Sequence, residues 1–163
     1  MGQLKKIIPV KKLILVRHAH RIKTLGGAGD DGISLKGQLQ AKKIRRQLKK
    51  LWPAGPFILL SSPKRRCIET LMPLAEKWGL DIQINLLLGE GGDTPRKIEA
   101  FIEWWQAEAA LYVIACSHGD WIPKCVEKLT GARCEVRKGS WLEIHDNGQS
   151  ITLDEFRNAR SGN

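Results

Sequence analysis

The sequence predicts an α/β three-layer sandwich: a mainly parallel central sheet, helices on both faces and an antiparallel hairpin edge at the C-terminus. Three observations predict it. Four short runs rich in Leu, Ile, Val or Phe each lead into a loop or helix signal. Helical segments with amphipathic spacing or a recognisable start alternate with them. Near the end, Asp146-Asn147-Gly148 separates two strand-like segments. Alternating strands and helices favour parallel pairing with right-handed crossovers, and sites in such sheets form at the carboxyl ends of strands.

In chain order, the expected strands are Leu13 to Val16, Phe57 to Leu60, Ile82 to Leu87 and Leu111 to Ala115. The expected helices are Ser34 to Leu51, Lys64 to Trp78, Thr94 to about Glu108, and Pro123 to Leu129. In the first helix, Leu35, Leu39, Ile44, Leu48 and Leu51 are expected to form the apolar face, with Lys42, Lys43, Arg45, Arg46, Lys49 and Lys50 largely elsewhere. Ser62 followed by Pro63 reads as a helix start, the hydroxyl capping free amides and the proline at the first helical position. Gly139 to His145 and Ser150 to Leu153 form the expected hairpin, and Arg157 to Asn163 a frayed tail. With 163 residues and no internal repeat or linker, residues 1–163 are expected to be one domain.

Composition narrows the class. Hydrophobic residues make up 42% and charged residues 27%, and no apolar run is long enough to span a membrane. The first residues carry lysines but no apolar leader, so a cytoplasmic location is expected. Cys67, Cys116, Cys125 and Cys134 have neither disulfide-framework nor zinc-ligand spacing, and reduced thiols are expected. A net charge of +10 attracts anions. The basic stretch Lys36 to Lys50 lacks the interleaved aromatics that stack on bases, which disfavours a nucleic-acid partner.

Three segments carry chemistry. Arg17-His18 follows the LILV strand, delivering an imidazole and a guanidinium to the crevice end of the sheet. A neutral imidazole is a nucleophile, and an adjacent cation both suppresses its protonated form and holds an anion. SSPKRRCIET follows the second strand and opens a helix, placing Arg65 and Arg66 in a first turn whose free amides favour an anion. CSHGDWIP follows the strand LYVIA and puts His118 at its carboxyl end, with Gly119 allowing close backbone approach.

LVRHA, SSPKRRCIET and CSHGD resemble the three signatures of the histidine phosphatase superfamily, also called phosphoglycerate mutase-like, in their usual order from Leu13 to about Gly131. The resemblance implies that His18 is the phosphorylated nucleophile, and that Arg17, Arg66 and His118 hold the phosphoryl oxygens. Counting from Ser62-Pro63 to Thr70, Arg66 rather than Arg65 occupies the family position, and Arg65 is read as an exposed solubilising group. Leu88-Gly89-Glu90 matches the family's general-acid setting and implies that role for Glu90. Two positions depart from the pattern: His20 replaces the usual acidic residue two after the nucleophile, and Thr24 stands where an asparagine is frequent. The size and the C-terminal hairpin are similar to the short bacterial phosphohistidine phosphatases.

The expected function is metal-independent hydrolysis of a phosphomonoester or protein phosphohistidine through a phosphohistidine on His18, without a cofactor. Its partner would be a phosphorylated small molecule or a phosphohistidine protein. One alternative is a non-catalytic basic protein that binds an anion or nucleic acid. Another is a metal-dependent hydrolase with His18, His20, Asp30, Asp31, His118 and Asp120 as ligands, which the flanking Arg17 and Arg21 oppose by repelling a dication. His145 is assigned no role.

Overall fold

The computed structural model describes residues 9–23, 29–55 and 58–158, with side chains through 153. Thr24 and Phe57, both named above, lie outside the described residues. The strands are β1 (Lys11–Arg17), β2 (Ile58–Ser61), β3 (Ile82–Ile84), β4 (Tyr112–Ser117), β5 (Ser140–Asp146) and β6 (Ile151–Asn158). The helices are α1 (Leu35–Leu51), α2 (Arg65–Trp78), α3 (Thr94–Ala107) and α4 (Trp121–Thr130). They form the α/β sandwich that the alternation predicts. Strand order is β3-β2-β4-β1-β5-β6, parallel from β3 to β1 and antiparallel across β5 and β6.

β1 and β4 are apolar at successive positions because both faces are covered. Leu13, Leu15, Val113 and Ala115 pack with Phe101 and Trp105 of α3 and Trp121 and Ile122 of α4. Ile14, Val16, Ile114 and Cys116 point the other way, onto Ile44 and Leu48 of α1 and Leu71 and Leu74 of α2. Register then sets the site: Arg17 pairs with Ser117 and Ser61 with Cys116, so β1, β2 and β4 end together. Among the described residues no helix is long and apolar enough to cross a membrane.

Five local expectations need correction. The Ile82 strand stops at Ile84, and Leu86–Leu88 forms a 3-10 turn because the Asn85 side chain accepts from Leu87 N at 2.9 Å, diverting the backbone from the ladder. In α1 the buried stripe is Gly37, Gln40, Ala41, Ile44 and Leu48, whereas Leu35 and Leu39 are 80% and 67% exposed. Small residues decide this: a Cβ at Gly37 would lie 2.2 Å from the His20 carbonyl oxygen, so that face of α1 can approach the backbone and a leucine face cannot. α2 begins at Arg65 rather than around Pro63, and Lys64 is its cap. α4 begins at Trp121, before Pro123, since a first-turn proline loses only an amide that lacks an intrahelical acceptor. β6 continues to Asn158, so Arg157 pairs with Trp141 instead of starting a tail; residues 159–163 are outside the described set.

Candidate active site

His18 is the first residue past β1, and its backbone N donates to Ser117 O at 3.1 Å, which extends the β1–β4 ladder through it. Its Nδ1 lies 2.9 Å from the Ala19 carbonyl. A carbonyl only accepts, so Nδ1 carries the proton and Nε2 keeps its lone pair. Burial pushes the His18 pKa down to about 3; the Ala19 hydrogen bond opposes this, and the charges of Arg66, His118 and Arg17 add to it. The imidazole is therefore neutral over the physiological range.

His118, one residue past β4, is buried with its ring centroid 5.5 Å from that of His18. Ser62 Oγ pairs with His118 Nε2 at 2.8 Å, and Nδ1 faces Glu90 Oε2 at 3.4 Å. Ser62 was expected to cap a helix. Standing at the end of β2, beside the end of β4, it instead fixes the second histidine, and it also accepts from Lys64 N at 3.3 Å.

Arg17, the last residue of β1, and Arg66, in the first turn of α2, both lie near His18. Arg17 Nη1 donates to Val136 O at 2.7 Å, and Arg66 Nη2 donates to Glu90 Oε1 at 2.6 Å. The Nε atoms of both arginines are buried and meet no protein acceptor. Two buried guanidinium N–H groups left in this way fit an anion bound between them. Arg65, by contrast, points outward and pairs with Glu69 at 3.1 Å.

Glu90 sits on a turn anchored from three sides. Ser117 Oγ donates to Leu88 O at 2.6 Å, Trp121 Nε1 donates to Leu87 O at 2.7 Å, and Lys97 Nζ donates to Gly89 O and Gly91 O, each at 2.6 Å. Partial burial raises the Glu90 pKa, but the Arg66 hydrogen bond and the charges of His118, Arg66 and Lys64 outweigh it and leave the pKa below its ordinary value. Glu90 is thus a carboxylate here.

The sequence reading assigned no role to Thr70, Ser117 or Gln40. Thr70 Oγ1 accepts from Ala19 N at 2.9 Å and donates to Arg66 O at 2.7 Å, tying the residue after His18 to the helix that carries the arginine. Gln40 Oε1 accepts from His20 N at 2.8 Å. Thr70 closes the SSPKRRCIET motif, and that position is its signal in the sequence; Gln40 has none.

The metal-site alternative does not assemble. His20 Nδ1 is 2.7 Å from Ser34 Oγ, Asp30 accepts from Arg65 N at 2.8 Å, and the described residues contain no group of three His, Cys, Asp or Glu that could hold a metal ion. His145 lies on β5, 3.6 Å from Glu143.

Comparison with known proteins bears on the fold. No curated protein matches the chain in sequence. The protein histidine phosphatase SixA in complex with tungstate has a similar structure, with a TM-score of 0.75 and 15% identity over 91% of this chain and 97% of that one. So do a mycobacterial glucosyl-3-phosphoglycerate phosphatase with inorganic phosphate (0.72, 18%, 93% and 100%) and a phosphoserine phosphatase with 3-phosphoglyceric acid from Entamoeba histolytica (0.70, 17%, 92% and 98%). At these identities the likeness is one of fold. Residues 13–92 match the family model of the histidine phosphatase superfamily (branch 1), a span that holds Arg17, His18, Arg66 and Glu90, while the fold brings His118 to them from β4. The chain thus carries a match to the histidine phosphatase superfamily (branch 1) over residues 13–92, on a fold similar to that of the phosphatases named above.

Proposed function

We propose that the protein hydrolyses a phosphomonoester through a covalent phosphohistidine on His18. The observation that carries this reading is a neutral imidazole with a free Nε2 beside two buried guanidinium N–H groups that meet no protein acceptor. His18 Nε2 attacks phosphorus, the N–P bond forms and the bond to the leaving oxygen breaks. Arg17, Arg66 and His118 stabilise the charge on the phosphoryl oxygens, where a preorganised donor contributes about 100-fold or more. Water then cleaves the N–P bond and regenerates His18.

Glu90 protonates the leaving oxygen and then takes a proton from the water. It is ionised while paired with Arg66, so it must gain its proton when substrate arrives. An incoming phosphate dianion shares the charge of Arg66 and repels the carboxylate, and both effects raise the Glu90 pKa. A glutamate in this place favours esters over protein phosphohistidine, since an ester oxygen needs acid assistance more than an imidazole leaving group does. The three phosphatases named above are similar in fold to this chain, and the anions described with them, tungstate, inorganic phosphate and 3-phosphoglyceric acid, support a phosphate site by analogy.

The test is to trap acid-labile phosphate on His18 during turnover of p-nitrophenyl phosphate and of an alkyl phosphate. Glu90→Gln is expected to lose about 100-fold or more on the alkyl ester and much less on the nitrophenyl ester, whose leaving group needs little protonation. Turnover by wild type with no phosphate on His18, or undiminished turnover by His18→Ala, would refute the mechanism.

A further inference from the structure

One set of cations lies beside the phosphoryl pocket and is not used in the mechanism above. The loop before β5 is pinned to the nucleophile strand: Gly139 N donates to Arg17 O at 3.2 Å and to His18 O at 3.1 Å. Gln40 of α1 spans the same gap, its Oε1 accepting from His20 N at 2.8 Å and its Nε2 donating to Lys138 O at 3.5 Å. The opposite side is closed by the Arg21–Ile33 bridge and by Ser34, whose hydroxyl contacts His20 Nδ1 at 2.7 Å and caps α1 next to Lys36. Lys138 lies near Arg17, Arg21 and Arg66, and His20 near Lys138 and Lys36, so these groups stand together beside the pocket.

Of the acids nearby, Glu69 pairs with Arg65 and accepts from Ile33 N at 3.3 Å, Asp30 accepts from Arg65 N, Glu90 pairs with Arg66, and Asp120 lies by Arg17. The ion pairs among the described residues leave out Lys36 and Lys138. After burial, the effects that depress the Lys138 pKa come from Lys23, Arg17, Arg21 and Arg66. Burial likewise leads for His20, followed by Lys138, Lys36 and Lys23. These groups are near enough to repel one another, and a fold tolerates such crowding where an anion relieves it. His20 itself stands where the family pattern has an acid, so a negative charge is replaced there by an imidazole whose pKa burial and the neighbouring lysines hold below its ordinary value.

We propose that Lys138 and Lys36, with His20 and Arg21, form a second anion subsite beside the phosphoryl pocket, and that the preferred substrate is a compact molecule bearing two phosphate groups. The inference rests on the phosphatase reading for its catalytic consequence, and binding tests it separately. The second phosphate occupies the subsite while the first is transferred to His18.

The experiment compares wild type, Lys138→Glu, Lys138→Arg and Lys50→Glu, the last a charge-matched change in the final turn of α1. Calorimetry gives the affinities for pyrophosphate and inorganic phosphate, and kinetics give the kcat/KM ratio of fructose 1,6-bisphosphate to fructose 6-phosphate. Lys138→Glu is expected to lower both the pyrophosphate preference and the kcat/KM ratio by about tenfold or more, the size of a lost charge-assisted contact. Lys138→Arg should restore most of both, and Lys50→Glu should leave the ratios near wild type. Ratios unchanged by Lys138→Glu, or lowered equally by Lys50→Glu, would overturn the subsite. If neither sugar phosphate is turned over, the phosphatase reading fails while the calorimetric comparison still decides the subsite.

Discussion

Gly119→Ala should disable the site without touching a reacting group. A Cβ at position 119 would lie 2.5 Å from Arg17 Cζ and 2.8 Å from its Nε and Nη2. Ordinary van der Waals contact begins at 3.4 Å, so the guanidinium would have to retreat by about 0.9 Å. It has little room to do so, because Nη1 is held by Val136 O at 2.7 Å and Nε is buried. A misplacement of about 1 Å in a positioned group costs about 100-fold in rate, or about 2.7 kcal/mol of transition-state stabilisation. Gly119 is not among the glycines with positive φ, so alanine adds no backbone strain and the fold should persist. The assay is kcat/KM on an alkyl phosphate, with thermal unfolding followed in parallel by circular dichroism. A variant that melts like wild type and keeps kcat/KM within about threefold of it would refute the view that Arg17 needs the space left by glycine.

Two further outcomes follow from the same geometry. His18 has a folded-state pKa of about 3, below its ordinary 6.5, so between those values the unfolded chain binds more protons. The stability it contributes is therefore fully present above about pH 6.5 and is lost as pH falls toward 3, and His18→Asn should flatten the decline of Tm across that window. Superimposable Tm profiles would count against a buried neutral imidazole. Thr70→Val should cost about 1–3 kcal/mol in urea unfolding because it leaves the Ala19 amide without its acceptor, whereas Thr70→Ser should recover most of that loss.

The sheet was legible in the sequence because β1, β2 and β4 are covered on both faces and must be apolar at successive positions. Leu86-Leu87-Leu88 has the same composition but turns into a 3-10 segment, since one asparagine side chain competes for the backbone and composition does not register that. The face of α1 was misread for a related reason. Hydrophobic spacing favoured Leu35 and Leu39, but close contact with the His20 backbone is made by the small residue Gly37, which a hydrophobicity pattern discounts. At the site, Arg17, His18 and His118 were legible at strand ends, and Arg66 and Glu90 through the family resemblance of their motifs. Ser62, Thr70 and Gln40 act through hydrogen bonds between segments distant in sequence, and their chemistry alone does not distinguish them from surface polar residues.

The Glu90 carboxylate rests 2.6 Å from Arg66, in the arginine's own anion position. The pocket thus contains a tethered competitor. Attached to the same chain, it faces the guanidinium at an effective concentration in the millimolar range or above, so dilute free monocarboxylates gain little by exchanging with it. In the proposed reaction a phosphoryl dianion would displace it by engaging Arg17, Arg66 and His118 together. In that reaction, once phosphate leaves as product, the returning carboxylate would resist its rebinding, so one side chain would both screen what enters the pocket and help to clear it.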